Sequence, residues 1–316
     1  MGATFLMSYP GPNWQIRGAA NFRSESRSTT NPRAALKEWL TLADAITRAG
    51  GRILVMPPTD PALTGMVYTA NAGHMFKNGD EWLYVVSKMA VAHRQPEAAR
   101  IKTFLSEAGV PVREAKHTWE GQAEVCTFNR GSRYILTWGV RSVRESIEEI
   151  RGYLPRGSRS KEIQLKEPWF HGDTCLNPLV NRAGDTHLLA FGGALVNTTI
   201  PEIRNFLDKS DEVISVDEDD ARAYVCNALC IDGTVLMASG TSSGLRGTLI
   251  HRGYMLEELD LPELFGKGGG GPRCMVNELR GFLLTDDAPS YVLQREHLQS
   301  LVSTYPESLP IEPAKA

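Results

Sequence analysis

The sequence predicts an α/β fold assembled from repeats of about 50 residues. Three observations lead there. Apolar runs of strand length alternate with amphipathic segments of helix length, sharply punctuated polar segments return at nearly constant spacing, and 316 residues with 42% hydrophobic content suffice to bury a substantial core.

In chain order, RILVMPP (52–58), EWLYVVS (81–87), RYILTWG (133–139), THLLAFGG (186–193), EVISVD (212–217) and TVLMAS (234–239) read as strands, being short apolar runs rich in β-branched and aromatic residues. PRAALKEWLTLADAITRAG (32–50), QPEAARIKTFLSEAG (95–109) and SVRESIEEIRGYL (142–154) place apolar residues at i, i+3 and i+4 and end near glycine or proline, so they read as helices. VCNALC (225–230) alternates Cys226 and Cys230 with small apolar residues and reads as a buried strand. Its cysteines have no histidine or cysteine partner at zinc-site spacing.

The repeat is set by six polar segments: RGAANF with Asn21, VYTANAG with Asn71, TWEGQAEV with Glu120, WFHGDTCLN with His171, YVCNALC with Asn227 and GGPRCMVN with Cys274. Successive separations are 50, 49, 51, 56 and 47 residues. Each segment lies after or inside a strand-like run, with a further strand and usually a helix before the next. A period of this length implies a radial or stacked array of small βα units rather than one doubly wound sheet. If the units close into a ring, the polar ends converge on one axis and bring distant residues together.

Charge narrows the partners. A formal charge of −3, with acids and bases interspersed, implies neither a nucleic-acid surface nor a polybasic membrane patch. The N-terminus has no basic region or cleavage signature, and no run approaches a membrane span, so a cytoplasmic protein is expected. Five widely spread cysteines argue against a secreted disulfide framework and leave a reduced thiol available. A small polar ligand fits this profile; a homo-oligomer stays open.

Three of the repeat segments supply a thiol (Cys274), an imidazole (His171) and carboxylates (Glu120, Glu124, Asp173). A thiolate nucleophile needs a proton acceptor or a cationic neighbour, and a histidine oriented by a carboxylate supplies one. Backbone N–H groups of the run of four glycines before Pro272 would add positive potential at the sulfur. Taken singly, Cys274 reads equally as a small buried residue, His171 as a core histidine and Glu120 as a turn acid. Their equivalent phase within one repeat favours a shared site.

The ordered set LTGMVYTANAGHMF, TWEGQAEVC, WFHGDTCLNPL and KGGGGPRCM resembles the guanidine-modifying pentein superfamily, which includes arginine deiminase, dimethylarginine dimethylaminohydrolase, arginine dihydrolase and the amidinotransferases. The likeness runs from about FLMSYPGPNW to beyond Cys274. It implies a five-bladed α/β propeller with pseudo-fivefold repeats, forming a single catalytic domain over residues 1–316 with an irregular tail from about residue 303. It also implies a hydrolase acting on arginine or an arginine-like guanidino compound, or alternatively an amidinotransferase using an amine acceptor, with no cofactor and no metal.

Carried over by the resemblance, Cys274 attacks the guanidinium carbon, His171 is the general acid and base, Glu120 holds a guanidinium nitrogen, and Asp173 clamps further N–H groups. Gly65 and Tyr68 depart from the Asp-x-x-Phe pattern, which implies a different substrate tail. Asn71, with Asn21, resembles the dihydrolase branch, where both terminal nitrogens are removed and ornithine is left. Glu124 stands where an aspartate is usual, and Arg141 aligns loosely with an arginine that grips the substrate carboxylate, although an ordinary surface arginine reads equally well there.

Overall fold

The computed structural model describes residues 2–16, 29–79, 81–128, 131–285 and 287–309. These residues form a mixed α/β fold with five separate sheets. Four sheets follow one another along the chain, apart from β11 (Leu195–Val196), which joins the second sheet from within the third. The first contains β3 (Gly73–Asn78), β4 (Glu81–Val86) and β5 (Val112–Glu114), and the second β6 (Val125–Phe128), β7 (Arg133–Trp138), β8 (Arg159–Leu165) and β11 (Leu195–Val196). The third contains β9 (Leu176–Val180), β10 (Thr186–Ala190) and β12 (Glu212–Ser215), and the fourth β13 (Leu229–Ile231), β14 (Thr234–Ala238) and β15 (Met255–Leu259). The fifth joins the two ends of the chain: β1 (Thr4–Ser8) lies between β2 (Arg52–Met56) and β16 (Asn277–Glu278).

Each sheet has the same local logic. A middle strand, β4, β7, β10, β14 or β1, pairs antiparallel with an inner strand and parallel with an outer one. A parallel neighbour requires a crossover, and helices α1 (Pro32–Arg48), α2 (Gln95–Glu107), α3 (Glu145–Arg151), α4 (Ile200–Phe206) and, after the short α5 (Glu218–Arg222), α6 (Ser243–His251) supply it. Middle strands β1, β10 and β14 are buried along their whole length, which is why their sequences are continuous apolar runs. Helix α1 shows the helical counterpart. The Asn31 side chain accepts from Ala34 N at 2.9 Å, Pro32 opens the first turn, and Leu36, Trp39, Ala43 and Ile46 form its buried face. Trp39 packs edge-on to Tyr291 of α7 (Tyr291–Leu301) with ring centres 5.9 Å apart.

Tight turns precede the inner strands: Thr69–Ala72, Gly121–Glu124, Gly172–Thr174 and Val225–Asn227, all 3-10, and the turn at 272–275 before β16. These turns touch one another in a closed cycle. Ala70 N donates to Cys274 O at 3.1 Å, Arg273 N donates to Asn227 O at 3.0 Å, and the Asn227 amide donates to Asp173 O at 3.1 Å. Asn277 Nδ2 donates to Gly73 O at 2.8 Å and the Thr69 hydroxyl to Leu6 O at 2.9 Å, so the Thr-Ala-Asn turn is tied to both chain ends.

Three readings need correction. The polar segments stand before their inner strands rather than after or within a strand, because the apolar runs visible in sequence are middle strands (β4, β7, β10, β14) or outer ones (β2, β12), not inner ones. Cys226 sits in a 3-10 turn, and only Cys230 lies in a strand. Five turns close the cycle, with Asn71 through Cys274 supplying all of them, whereas Asn21 lies outside the described residues. Beyond α7 the chain continues as the 3-10 turn Val302–Thr304 and is held to α1 by Arg33 Nε donating to Tyr305 O at 2.8 Å. No described helix is long and apolar enough to cross a membrane.

Candidate active site

The cycle of turns brings Glu120, His171, Asp173, Asn71 and Cys274 together, all buried to 3% exposure or less. Glu120 is placed by the glycine after it. Gly121 has φ +68°, and a Cβ there would lie 2.6 Å from Gly73 N, so only glycine lets these two turns pack. Glu120 Oε2 lies 2.7 Å from His171 Nε2, and Oε1 accepts from Ala90 N at 3.1 Å. Arg141 Nη1 is 3.7 Å from Glu120 Oε1, and its guanidinium lies over the Phe170 ring at 5.5 Å. Arg141 therefore faces the site.

The other imidazole nitrogen, His171 Nδ1, is 3.4 Å from Asn71 Nδ2. Asn71 Oδ1 accepts from Arg94 Nη1 at 2.8 Å, which turns the amide N–H groups toward the imidazole. Nδ1 then accepts, and Nε2 carries the proton given to Glu120. Arg94 is itself fixed by Glu97, with Nε and Nη2 donating to Oε2 at 2.9 and 2.8 Å. Glu97 Oε1 accepts from Gly65 N at 3.0 Å and Arg94 Nη2 donates to Gly65 O at 3.0 Å. A Cβ on Gly65 would lie 2.3 Å from Arg94 Nε. The buried Arg94–Glu97 pair thus fills the space that a side chain at position 65 would need.

Cys274 is held by its backbone, whose N–H donates to Asn227 Oδ1 at 3.1 Å. Its Sγ lies 3.8 Å from Asp173 Oδ2, while Asp173 Oδ1 is buried with no hydrogen-bond partner. Burial pushes the thiol well above its usual range and Asp173 adds to this, against the opposing pull of Asn227, Arg94 and Arg273. Burial likewise raises Asp173, although His171 and Arg273 work the other way. Burial also acts to raise Glu120, but the His171 hydrogen bond and the charges of His171, Arg94 and Arg141 outweigh it and hold the carboxyl at about 2. Glu120 is a fixed negative charge; Cys274 in the free protein is a thiol.

Glu124 serves the framework. It accepts from the Thr137 hydroxyl, from Ser142 Oγ at 2.9 Å and from Gly172 N at 3.2 Å, while Ser142 Oγ accepts from Glu120 N at 3.1 Å. Burial lifts its carboxyl to about 7 despite these donors. The glycine run departs from the expectation of donors aimed at sulfur. Gly268 N and Gly269 N donate at 2.9 Å to Glu263 O and Phe265 O, closing the π-helical Pro262–Lys267 segment. The run packs on Tyr68, where a Cβ on Gly270 would lie 2.4 Å from the ring. Arg94, Glu97, Gln122 and the bonding of Asn227 were not assigned roles from sequence. Gln122 bridges to β16 by donating to Val276 O at 3.1 Å and accepting from Glu278 N at 2.8 Å.

No family model matches the chain. It is similar to an uncharacterised protein of Caenorhabditis elegans, at 28% identity over 253 residues, covering 78% of this chain and 83% of that one. An uncharacterised Bacillus subtilis protein, YkgA, is 24% identical over 242 residues, covering 76% and 78%. Among solved structures, the N-terminal domain of the cyanobacterial arginine dihydrolase ArgZ, bound to substrate, matches with a TM-score of 0.78 at 24% identity, covering 88% of this chain and 98% of that chain. Dimethylarginine dimethylaminohydrolase matches with a TM-score of 0.63 at 18% identity over 88% of this chain and all 100% of that one. The chain has the pentein fold.

Longer relatives share the pentein fold over part of their length. AgrE, solved with L-arginine, matches 90% of this chain with 41% of its own, at a TM-score of 0.78 and 23% identity. Within the pentein fold, the ArgZ domain has also been captured covalently bound to a reaction intermediate.

Proposed function

We propose that the protein is a cysteine-dependent hydrolase of the guanidinium group of arginine or an arginine-like compound. In this reading the five sheets are the blades of an α/β propeller, and residues 1–316 act as one catalytic domain. The observation that supports it best is the pairing of a buried thiol with a half-satisfied carboxylate: Sγ lies 3.8 Å from Asp173 Oδ2, and Oδ1 has no partner. A buried acceptor without a donor is costly, and a planar cation bearing several N–H groups supplies what Asp173 lacks.

The guanidinium donates to Asp173 on one side and to Glu120 on the other, which fixes its plane for attack. Its positive charge offsets Asp173 and lowers the barrier to ionising Cys274, so the nucleophile forms when substrate arrives. The thiol proton passes to His171, sulfur adds to the guanidinium carbon, and the bond to a terminal nitrogen breaks as His171 returns a proton to the departing ammonia, leaving the alkyl-bearing nitrogen on the carbon. An amidino group then remains on sulfur. His171 next takes a proton from water, the resulting oxygen nucleophile adds to the same carbon, and the C–S bond breaks to restore the thiol and release a ureido product.

Asn71 supports a second round. Its amide is neutral and its orientation is fixed by Arg94, so a neutral ureido group meets no extra carboxylate there and is held for hydrolysis by a second water to the amine, with ammonia and carbon dioxide released. Incubation with arginine and a panel of guanidino compounds, with products identified by mass, tests the assignment. Ammonia and a ureido or amine product are expected with no acceptor present. Turnover that begins only when an amine is added would replace this reading with amidino transfer.

A further inference from the structure

The inner strands carry a second cluster of polar groups beyond the turns. A cavity of about 310 Å³ is lined by His74 on β3, Thr127 on β6, Val180 on β9, Cys230 on β13, and Arg273 and Arg280 on either side of β16. Thr127 and Val180 lie three and six residues past their turns, roughly 10–20 Å along a strand rising ~3.3 Å per residue. The cavity therefore runs from the turns, where Gln122 and Arg273 line it, toward the far end of the inner strands.

Three of the lining residues each carry a buried side-chain atom with no hydrogen-bond partner: His74 Nδ1, Thr127 Oγ1 and Arg273 Nε. Buried polar atoms are rarely left unpaired, and three from separate segments around one space call for an occupant. Charge identifies it. Among the described residues Arg273 makes no salt bridge and donates through Nη1 only to the neutral Asn177 Oδ1, at 3.2 Å. Arg280 is ion-paired with Glu278, which also lines the cavity, through Nε and Nη2 to Oε2 at 3.0 Å each, and its Nη1 group leaves capacity for a second acceptor. The other acid in the wall, Asp232, is exposed and lies 3.9 Å from Arg182. Burial, together with the charges of Arg280 and Arg273, keeps His74 neutral, so it contributes a ring N–H or a lone pair rather than charge.

We propose that this cavity is a binding site for a small oxyanion, phosphate or carboxylate, gripped by Arg273 and Arg280 and completed by Thr127 and His74. Water satisfies single orphaned atoms but not the charge of Arg273, whereas an oxyanion meets both and accepts the forked donors of arginine. The site adjoins the thiol site through Arg273, the residue before Cys274, but its occupancy does not depend on the proposed hydrolysis.

Titration calorimetry at low ionic strength with inorganic phosphate and, separately, succinate tests it, the two arms distinguishing the source of the oxyanion. Saturable binding of at least one probe is expected, weakened tenfold or more in Arg280→Gln and in Arg273→Gln but unchanged in Arg141→Gln. Arg280 lies at the surface edge of the cavity, so its variant keeps the experiment interpretable should Arg273→Gln unfold. Absence of saturable heat with both probes overturns the proposal. So does binding that persists in Arg280→Gln, or that disappears in Arg141→Gln, which would place the anion beside Glu120 instead.

Discussion

At the turns, three carboxylates, Glu120, Glu124 and Asp173, crowd around His171 and Cys274; the cavity that runs from Arg273 along the inner strands is lined by Arg273, a neutral His74, the Arg280–Glu278 ion pair and Asp232. Both places contain a buried histidine, but with different surroundings. His171 is engaged at both ring nitrogens, by Glu120 and by Asn71, whereas His74 has an unpartnered Nδ1 and two arginines within electrostatic reach. The two places thus differ in the sign of the charge gathered around a buried histidine. Residue type alone does not decide what a buried polar group is for; the sign of its neighbours and the number of its unmet hydrogen bonds do.

The largest expected effect lies at the acidic end. Cys274→Ala should lower kcat by ~10⁴-fold or more with the thermal midpoint little changed, as expected for an essential nucleophile. Steady-state kinetics beside a melting curve checks this. His171→Ala should cost about 10²–10⁴-fold in kcat, the usual span for a lost general acid and base, and mass spectrometry should show no productive turnover of any sulfur adduct. Asn71→Asp puts a carboxylate between Arg94 and His171 and should move the product from amine toward the ureido compound. An unchanged product ratio would remove Asn71 from the second round.

Smaller effects sharpen the comparison. Alkylation of Cys274 in the free protein should be slow at neutral pH and rise only in strongly alkaline solution, since burial and Asp173 favour the thiol. Peptide mapping of iodoacetamide adducts measures it. This reverses the simpler expectation of a pre-formed thiolate. The smallest effect concerns Glu124, whose carboxyl is lifted by burial to about 7. Because the folded protein binds this proton more tightly than the unfolded chain does, its contribution to stability is full below about pH 4.3 and is lost as pH rises through 7. The melting midpoint should therefore fall over that window, and Glu124→Gln should flatten the fall.

What was legible in the sequence follows from where burial is complete. β4, β7, β10 and β14 are apolar because the middle of each sheet is covered on both faces, and α1 shows its buried face at helical spacing. β13 and β16 hold three and two residues, and their conformation comes from pairing with β14 and β1, so no local pattern announces them. The site was legible where polar residues recurred at one phase, as with Asn71, Glu120, His171 and Cys274. Arg94 and Glu97 were not: they lie at the entrance of an amphipathic helix, where charged residues ordinarily face water, and only the bare Gly65 opposite hinted at a side chain arriving from elsewhere. Asn227 stood at the right phase but showed no chemistry until the backbone of Cys274 was found resting on it.

The pairing of β1 with β16 makes the first strand of the polypeptide wait for almost the last. A ribosome would deliver four sheets before residues 277–278 emerged to clasp residues 5–6, and the sulfur would arrive in that same final stretch. Cys274 is thereby the last member of the cycle of turns to be made, after the four other turns.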